Sequence, residues 1–257
     1  MKKQDLQNFI SKFHLGGAVD SVKLKTENGK AVTDIVNDQK ILIGKVTHKD
    51  IDIEPGEYGL YNLTQFNRFV SIMDEDVNIS VNKNNEIATS INLNDNVTDV
   101  NYILADLAVI PMVPKLKAIP DFEVTLNIDK DFVDRFLKSN NIIVDSEYFT
   151  LESNGTGLNV IFGYNANINT SRIKFKVEID ALSGDLEPTS FSSKIFRELL
   201  VANKDFKEAK MKVTSKGLLT ITFKDDNYLS EYFLIASNAL EATLTAAVIV
   251  NGSIAIS

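Results

Sequence analysis

Apolar residues recur along this chain in two rhythms that take turns. Leu6, Phe9, Ile10 and Phe13 stand at i, i+3, i+4 and i+7, the spacing of one buried helical face, and predict a helix over 2–13 that Gly16-Gly17 ends. Strand-like runs follow at 22–25, 31–36, 41–47 and 58–63, separated by turn residues such as Asn28-Gly29 and Pro55-Gly56, so a hairpin-rich sheet is expected. A second helical stripe, Leu63, Phe66, Val70 and Met73, predicts a helix over 64–73 with Thr64 available as its cap. Strands at 77–81, 86–93 and 100–104 complete the first half.

The same order then starts again. After a strand at 122–128, Asp129 is placed to cap a helix over 129–139, where Phe132, Val133, Phe136 and Leu137 form the apolar face. Strands are predicted at 142–151, 158–164 and 172–179. Pro188, Thr189 and Ser190 introduce a fourth helix over 190–204, with Phe191, Ile195, Phe196, Leu199 and Leu200 apolar. Strands at 210–214, 218–223 and 232–236 close the second half. Each half thus holds two helices and seven or eight strands, which predicts an α+β fold in which each domain packs two helices on antiparallel sheets.

Three of the five prolines, Pro111, Pro114 and Pro120, fall between the halves. Proline fixes its own backbone, cannot donate to a ladder and biases its predecessor toward extended geometry. The expected domains are therefore 1–110 and 122–237, joined by an extended connector over 111–121. A tail over 238–257 carries a single charged residue, Glu241, and contains Asn251-Gly252 between β-branched runs, which predicts a terminal β-hairpin.

Charge changes the picture next. The net charge of −8 argues by itself against a nucleic-acid partner. The four predicted helices, however, hold ten Lys/Arg against five Asp/Glu, a balance of +5 that leaves −13 for the rest of the chain. Helices gathered on one face would present a positive surface to a phosphate backbone while the acidic remainder repelled it. No run of 18 apolar residues occurs and no signal peptide is indicated, so a cytoplasmic protein with no membrane partner is expected; the absence of cysteine fits a reducing compartment.

Chemistry-bearing motifs are sparse. Neither a phosphate-binding loop nor a dinucleotide fingerprint occurs, so no cofactor is expected. His14 lies just beyond a helix end and His48 in a Thr-His-Lys-Asp turn; without a nucleophile elbow both read as surface residues, and no catalytic residue is assigned. Asp74, Glu75 and Asp76 read as a solvated loop after a helix, since the alternating ligands and glycine of a calcium loop are missing, and no metal site is assigned.

Three stretches carry a resemblance: YGLYNLTQFNRFVSIMDEDVNISV over 58–81, VIPMVPKLKAIPDFEVTLNIDKDFVDRFLK over 109–138 and GLNVIFGYN over 157–165. Over residues 1–237 the chain resembles the sliding clamps of T-even type bacteriophages, DNA polymerase processivity factors related in fold to the eukaryotic proliferating cell nuclear antigen. The order of elements and the proline-rich connector carry the resemblance; no single motif does. It implies a two-domain DNA clamp fold that closes into a ring as a homotrimer, with helices lining the hole and sheets outside. It further implies duplex DNA as a sequence-independent partner. Lys2, Lys3, Lys12, Arg68, Lys130, Arg135, Lys138, Lys194, Arg197 and Lys204 become candidates for the DNA-facing side. DNA polymerase and the clamp loader would dock through a hydrophobic peptide on a pocket at Ile110, Met112, Val113, Leu116 and Ile119. Such a protein would be a tether, not an enzyme, in the cytoplasm of an infected bacterial host.

The tail after Ser237 departs from the phage clamps and is expected near the partner pocket. Two other readings stand beside the clamp. A phage tail or baseplate module would explain the strands and acidity but not the basic helices. A single-strand binder would stack bases on aromatics, whereas the helix phenylalanines here occupy apolar faces.

Overall fold

The computed structural model describes residues 1–116, 119–153, 155, 157–165, 171–237 and 253–254. The chain divides into two compact units, Met1–Val113 with Asp226–Ser230, and Pro114–Asp225 with Glu231–Ser257.

In the first unit α1 (Lys3–His14) precedes β1 (Ser21–Glu27), β2 (Lys30–Val36), β3 (Leu42–His48) and β4 (Gly56–Tyr61); α2 (Leu63–Ile72) follows, then β5 (Asn78–Asn84), β6 (Ile87–Asn94) and β7 (Asp99–Ile103). The strands form two antiparallel arrays, β4-β1-β2-β3 and β5-β6-β7. Leu6, Phe9, Ile10 and Phe13 of α1 are all nearly inaccessible, and the helix packs beside α2, whose Leu63, Phe66 and Val70 are also buried. Each such side chain contributes roughly 1.5–3 kcal/mol by leaving water. Left-handed Leu15 and Gly16 (φ 62°) turn the chain out of α1, as the glycine pair anticipates. Asn28 and Gly29 both have positive φ, as a two-residue hairpin between β1 and β2 requires.

Asn62 caps α2, accepting the Gln65 N–H at 3.0 Å from a left-handed backbone. Thr64, expected as the cap, instead lies inside the helix with its Oγ1 3.0 Å from His14 Nε2. Asparagine tolerates the left-handed conformation that the sharp β4-to-α2 turn imposes; threonine does not.

In the second unit β8 (Lys115–Leu116) and β9 (Val124–Asn127) precede α3 (Lys130–Ile142); β10 (Tyr148–Ser153), β11 (Leu158–Phe162), β12 (Ile173–Val177), β13 (Ala181–Leu182) and β14 (Leu186–Ser192) lead to α4 (Ser193–Ala202). β15 (Glu208–Thr214), β16 (Leu218–Lys224), β17 (Tyr228–Ile235, of which Tyr228–Ser230 belong to the first unit) and β18 (Ser253–Ile254) follow. One sheet runs β12-β11-β10-β14, a second places β13, β9, β15, β16 and β17 side by side, and β18 pairs in parallel with β8. Asp129 caps α3 as expected, accepting the Phe132 N–H at 2.7 Å. Phe136 is fully buried, with Phe149, Phe162 and Phe196 at centroid distances of 5.0, 4.9 and 4.8 Å.

Three local expectations change. Residues 186–192 form β14 and are not a helix start, and Ser192 is the cap of α4. Pro188 is tolerated because, among the described residues, β14 is an edge strand that pairs only with β10. α3 runs on to Ile142, so β10 starts later than the apolar run 142–151 suggests. The connector, expected outside regular sheet, contains the two residues of β8. The hairpin expected over 238–257 falls outside the described residues apart from β18, whose parallel pairing places that strand beside the connector's β8.

Candidate functional site

The helices carry the first candidate surface. Their apolar faces are spent on the sheets, so the polar faces look outward, and Arg68 on α2, Lys130, Arg135 and Lys138 on α3, Lys194 on α4 and Lys204 just after it are all exposed. None of these six has a carboxylate within ion-pair distance among the described residues. A cation left without an internal partner keeps its full attraction for an external anion. Five of the six belong to the second unit and only Arg68 to the first.

The other four expected cations are otherwise engaged. Lys12 is a correction: it is 3% exposed, with its ammonium 4.7 Å from the centroid of the Tyr228 ring, so it belongs to the core of the first unit and cannot face a ligand. Lys2 pairs with Asp76 at 2.9 Å and Glu75 at 3.5 Å, and the hydrogen bond to Asp76 holds its ammonium above the ordinary lysine value. Lys3 donates to the carbonyls of Met73 (2.6 Å) and Ser71 (3.2 Å) at the end of α2, where cations suit the helix dipole. Arg197 pairs with its neighbour Glu198. Lys2, Lys3 and Arg197 therefore serve local structure before anything else.

The second candidate is a groove of about 1010 Å³ in the first unit. One wall is the segment 107–113, Leu-Ala-Val-Ile-Pro-Met-Val, and the floor is the face of β1–β3 opposite to the buried one. Strict alternation along β1 buries Val22, Leu24 and Thr26 and turns Lys23 and Lys25 outward. The wall is anchored at its start: Ala105 N–H donates to the Gly59 carbonyl at 2.9 Å. A Cβ on Gly59 would lie 2.4 Å from the Ala105 oxygen, so the approach requires glycine at that position. Tyr102 braces the same corner, its hydroxyl accepting the Tyr61 N–H at 2.8 Å and donating to the Tyr61 carbonyl; burial pushes its pKa up to about 12.

Of the five expected pocket residues, Ile110, Met112 and Val113 line this groove. Ile110 is buried against the Gly59 corner and acts as packing, whereas Met112 (79% exposed) and Val109 (71% exposed) offer free apolar surface. Ile119 is exposed and belongs to the second unit; Leu116 lies in β8, with its side chain outside the described residues. Sequence reasoning missed the floor. Lys23, Lys25, Lys30 and Lys45 line it together with Glu27, Asp34 and Glu57, so the part of the chain outside the helices, net acidic as a whole, still gathers lysines on one sheet face. The available signal was the period-two placement of Lys23 and Lys25 in SVKLKTE.

The two histidines are also corrected. His48 is 2% exposed between Phe9 and Tyr228, with Nδ1 accepting the Asp50 N–H at 3.1 Å, and His14 is 9% exposed beside Thr64. Both are structural, because aromatic neighbours distant in sequence close over His48 and α2 covers His14. Asp74, Glu75 and Asp76 are exposed, and among the described residues no group of three His, Asp or Glu could hold a metal. No helix of the described residues is long and apolar enough to cross a membrane.

No protein-family model matches the chain, and no curated protein matches it in sequence. Among solved structures it is similar to the proliferating cellular nuclear antigen of Entamoeba histolytica, at a TM-score of 0.67 and 13% identity over 92% of this chain and 96% of that one. It is also similar to the proliferating cell nuclear antigen of A. fulgidus in a structure with the C-terminal region of FEN-1 bound, at a TM-score of 0.69 and 13% identity over the same shares. The fold is that of these clamps, α+β with helices on antiparallel sheets.

Proposed function

We propose that this chain is a sliding clamp: a homotrimeric ring around duplex DNA that tethers a replicative polymerase, of the T-even bacteriophage type. The observation that carries the reading is the set of six exposed cations, five on helices and Lys204 just after α4, without carboxylate partners among the described residues, on a protein of net charge −8 and a clamp fold. Two units, each offering a helix pair, are consistent with a closed ring of three copies, a heterologous contact whose rotation closes. The helices then meet phosphates without reading bases, and weak contacts of that kind allow sliding.

The mechanism is topological. A closed ring cannot leave duplex DNA sideways, so a partner held on it stays at high effective concentration near the primer end. The groove beside residues 107–113 is the docking place for a short hydrophobic peptide of the polymerase or clamp loader; the bound FEN-1 C-terminal region in the A. fulgidus structure is a supporting parallel. In this reading the clamp domains are 1–110 and 122–237 about a connector at 111–121, a division supported by two compact units that meet at Val113–Pro114, and the site of action is the cytoplasm of the infected bacterium. Light scattering tests the assembly: three copies of 28.6 kDa give about 86 kDa. A stable monomer at micromolar concentration, with no affinity for polymerase or clamp-loader peptides, would overturn the proposal.

A further inference from the structure

The groove combines two surfaces of opposite character. Its wall over residues 107–113 carries no charge, while its floor carries four lysines in a chain that is otherwise acidic. Register shows how those charges are arranged: Lys23, Asp34 and Lys45 stand directly across from one another on β1, β2 and β3. Lys23 also reaches Glu57 at 3.9 Å, and Lys25 reaches Glu27 at 3.2 Å. Lys30 and Lys45 have no carboxylate within ion-pair distance among the described residues. Glu57 and Glu27 are thus committed to Lys23 and Lys25, and Asp34 lies between Lys23 and Lys45; four lysines against three carboxylates leave the floor a balance of +1, carried by Lys30 and Lys45.

We infer that the groove selects a peptide that is acidic as well as apolar, its hydrophobic side chains resting on Val109 and Met112 and its Asp or Glu residues on Lys30 and Lys45. The inference rests on the reading of this groove as the partner site and adds the chemistry of the partner. Charge complementarity decides between occupants: a basic or neutral peptide would leave the surplus positive charge of the floor uncompensated, and an apolar one would ignore half of the surface. Exposed pairs are individually weak and screened by salt, so the selection should be modest and strongest at low ionic strength.

The experiment uses the full chain and three fluorescent peptides of one sequence length, each with the same Phe and Leu anchors and carrying two Asp, two Asn or two Lys. Anisotropy titration at about 50 mM salt should give the Asp peptide roughly threefold to tenfold tighter binding than the Asn peptide, and the Lys peptide weaker still. The gap should close at about 500 mM salt, and in a Lys30→Gln/Lys45→Gln variant the Asp and Asn peptides should bind alike. Met112→Ser should weaken all three peptides together. Equal binding of Asp and Asn peptides to the natural chain would overturn the charge selection while leaving the groove as a peptide site. Failure of every peptide, with no effect of Met112→Ser, would overturn the groove reading itself. If a short DNA duplex displaced the Asp peptide, and lost that ability in the double lysine variant, the floor would be a phosphate surface and the inference would fall.

Discussion

Replacing Arg135, Lys138 and Lys194 together by glutamine removes three of the five helix cations that have no carboxylate partner among the described residues, without touching the core, since all three are exposed. Each phosphate neutralised by a protein cation releases counterions, and affinity for duplex DNA falls with salt by about 0.9 log units per tenfold salt for each contact. If all three residues face phosphates, the variant loses about 2.7 from the slope, so that between 50 and 200 mM salt the natural protein weakens about fortyfold more than the variant does. The assay is a salt series of duplex binding by fluorescence anisotropy, with circular dichroism to show that the variant is folded. A second triple variant, Lys2→Gln/Lys3→Gln/Arg197→Gln, serves as the comparison, because those cations are held by Asp76, by the carbonyls of Ser71 and Met73, and by Glu198. Its slope should change far less. An unchanged slope in the first variant, or an equal loss in both, would refute the assignment of the helix face.

Three further outcomes follow from the same structure. Gly59→Ala places a Cβ at 2.4 Å from the Ala105 oxygen, so the start of the groove wall must shift; hydrogen exchange at the Ala105 amide should accelerate and binding of the anchored peptides should weaken, whereas unchanged exchange would contradict the close approach. Phe136→Ala should lower stability to urea by about 3–5 kcal/mol, the range for emptying a buried phenylalanine site, and a loss below about 1 kcal/mol would mean the aromatic cluster is not packed as described. The Asp95 carboxylate accepts the N–H groups of Asp74, Val97 and Thr98, which hold its pKa below the ordinary 3.8; its contribution is therefore complete above that value and is lost as pH falls through the lowered one. In Tm-against-pH curves Asp95→Asn should lie below the natural protein near neutrality and meet it in acid, and a constant offset down to pH 2 would contradict this.

The helices were legible because a 3.6-residue stripe is a local property: Leu6, Phe9, Ile10 and Phe13 declare their face before any partner is known. The hairpin at Asn28-Gly29 and the Asp129 cap were legible for the same reason. What escaped depends on neighbours far along the chain. Lys12 looks like any surface lysine until Tyr228 lies under its ammonium. Lys2 looks free until Asp76 arrives from the end of α2. Pro188 argues against a strand until β14 is known to be an edge. The groove lysines were hidden by pooling strands and loops into one acidic remainder, although β1, with two lysines and one glutamate, places Lys23 and Lys25 on a single face.

The central claim is a topological link to DNA, and a linear duplex with biotin at both ends tests it without any loading factor. The protein is allowed to thread on, streptavidin then blocks the ends, and bound protein is followed through a wash at high salt. Retention on blocked duplex with rapid loss from unblocked duplex is the predicted result. Equal loss from both would contradict the ring.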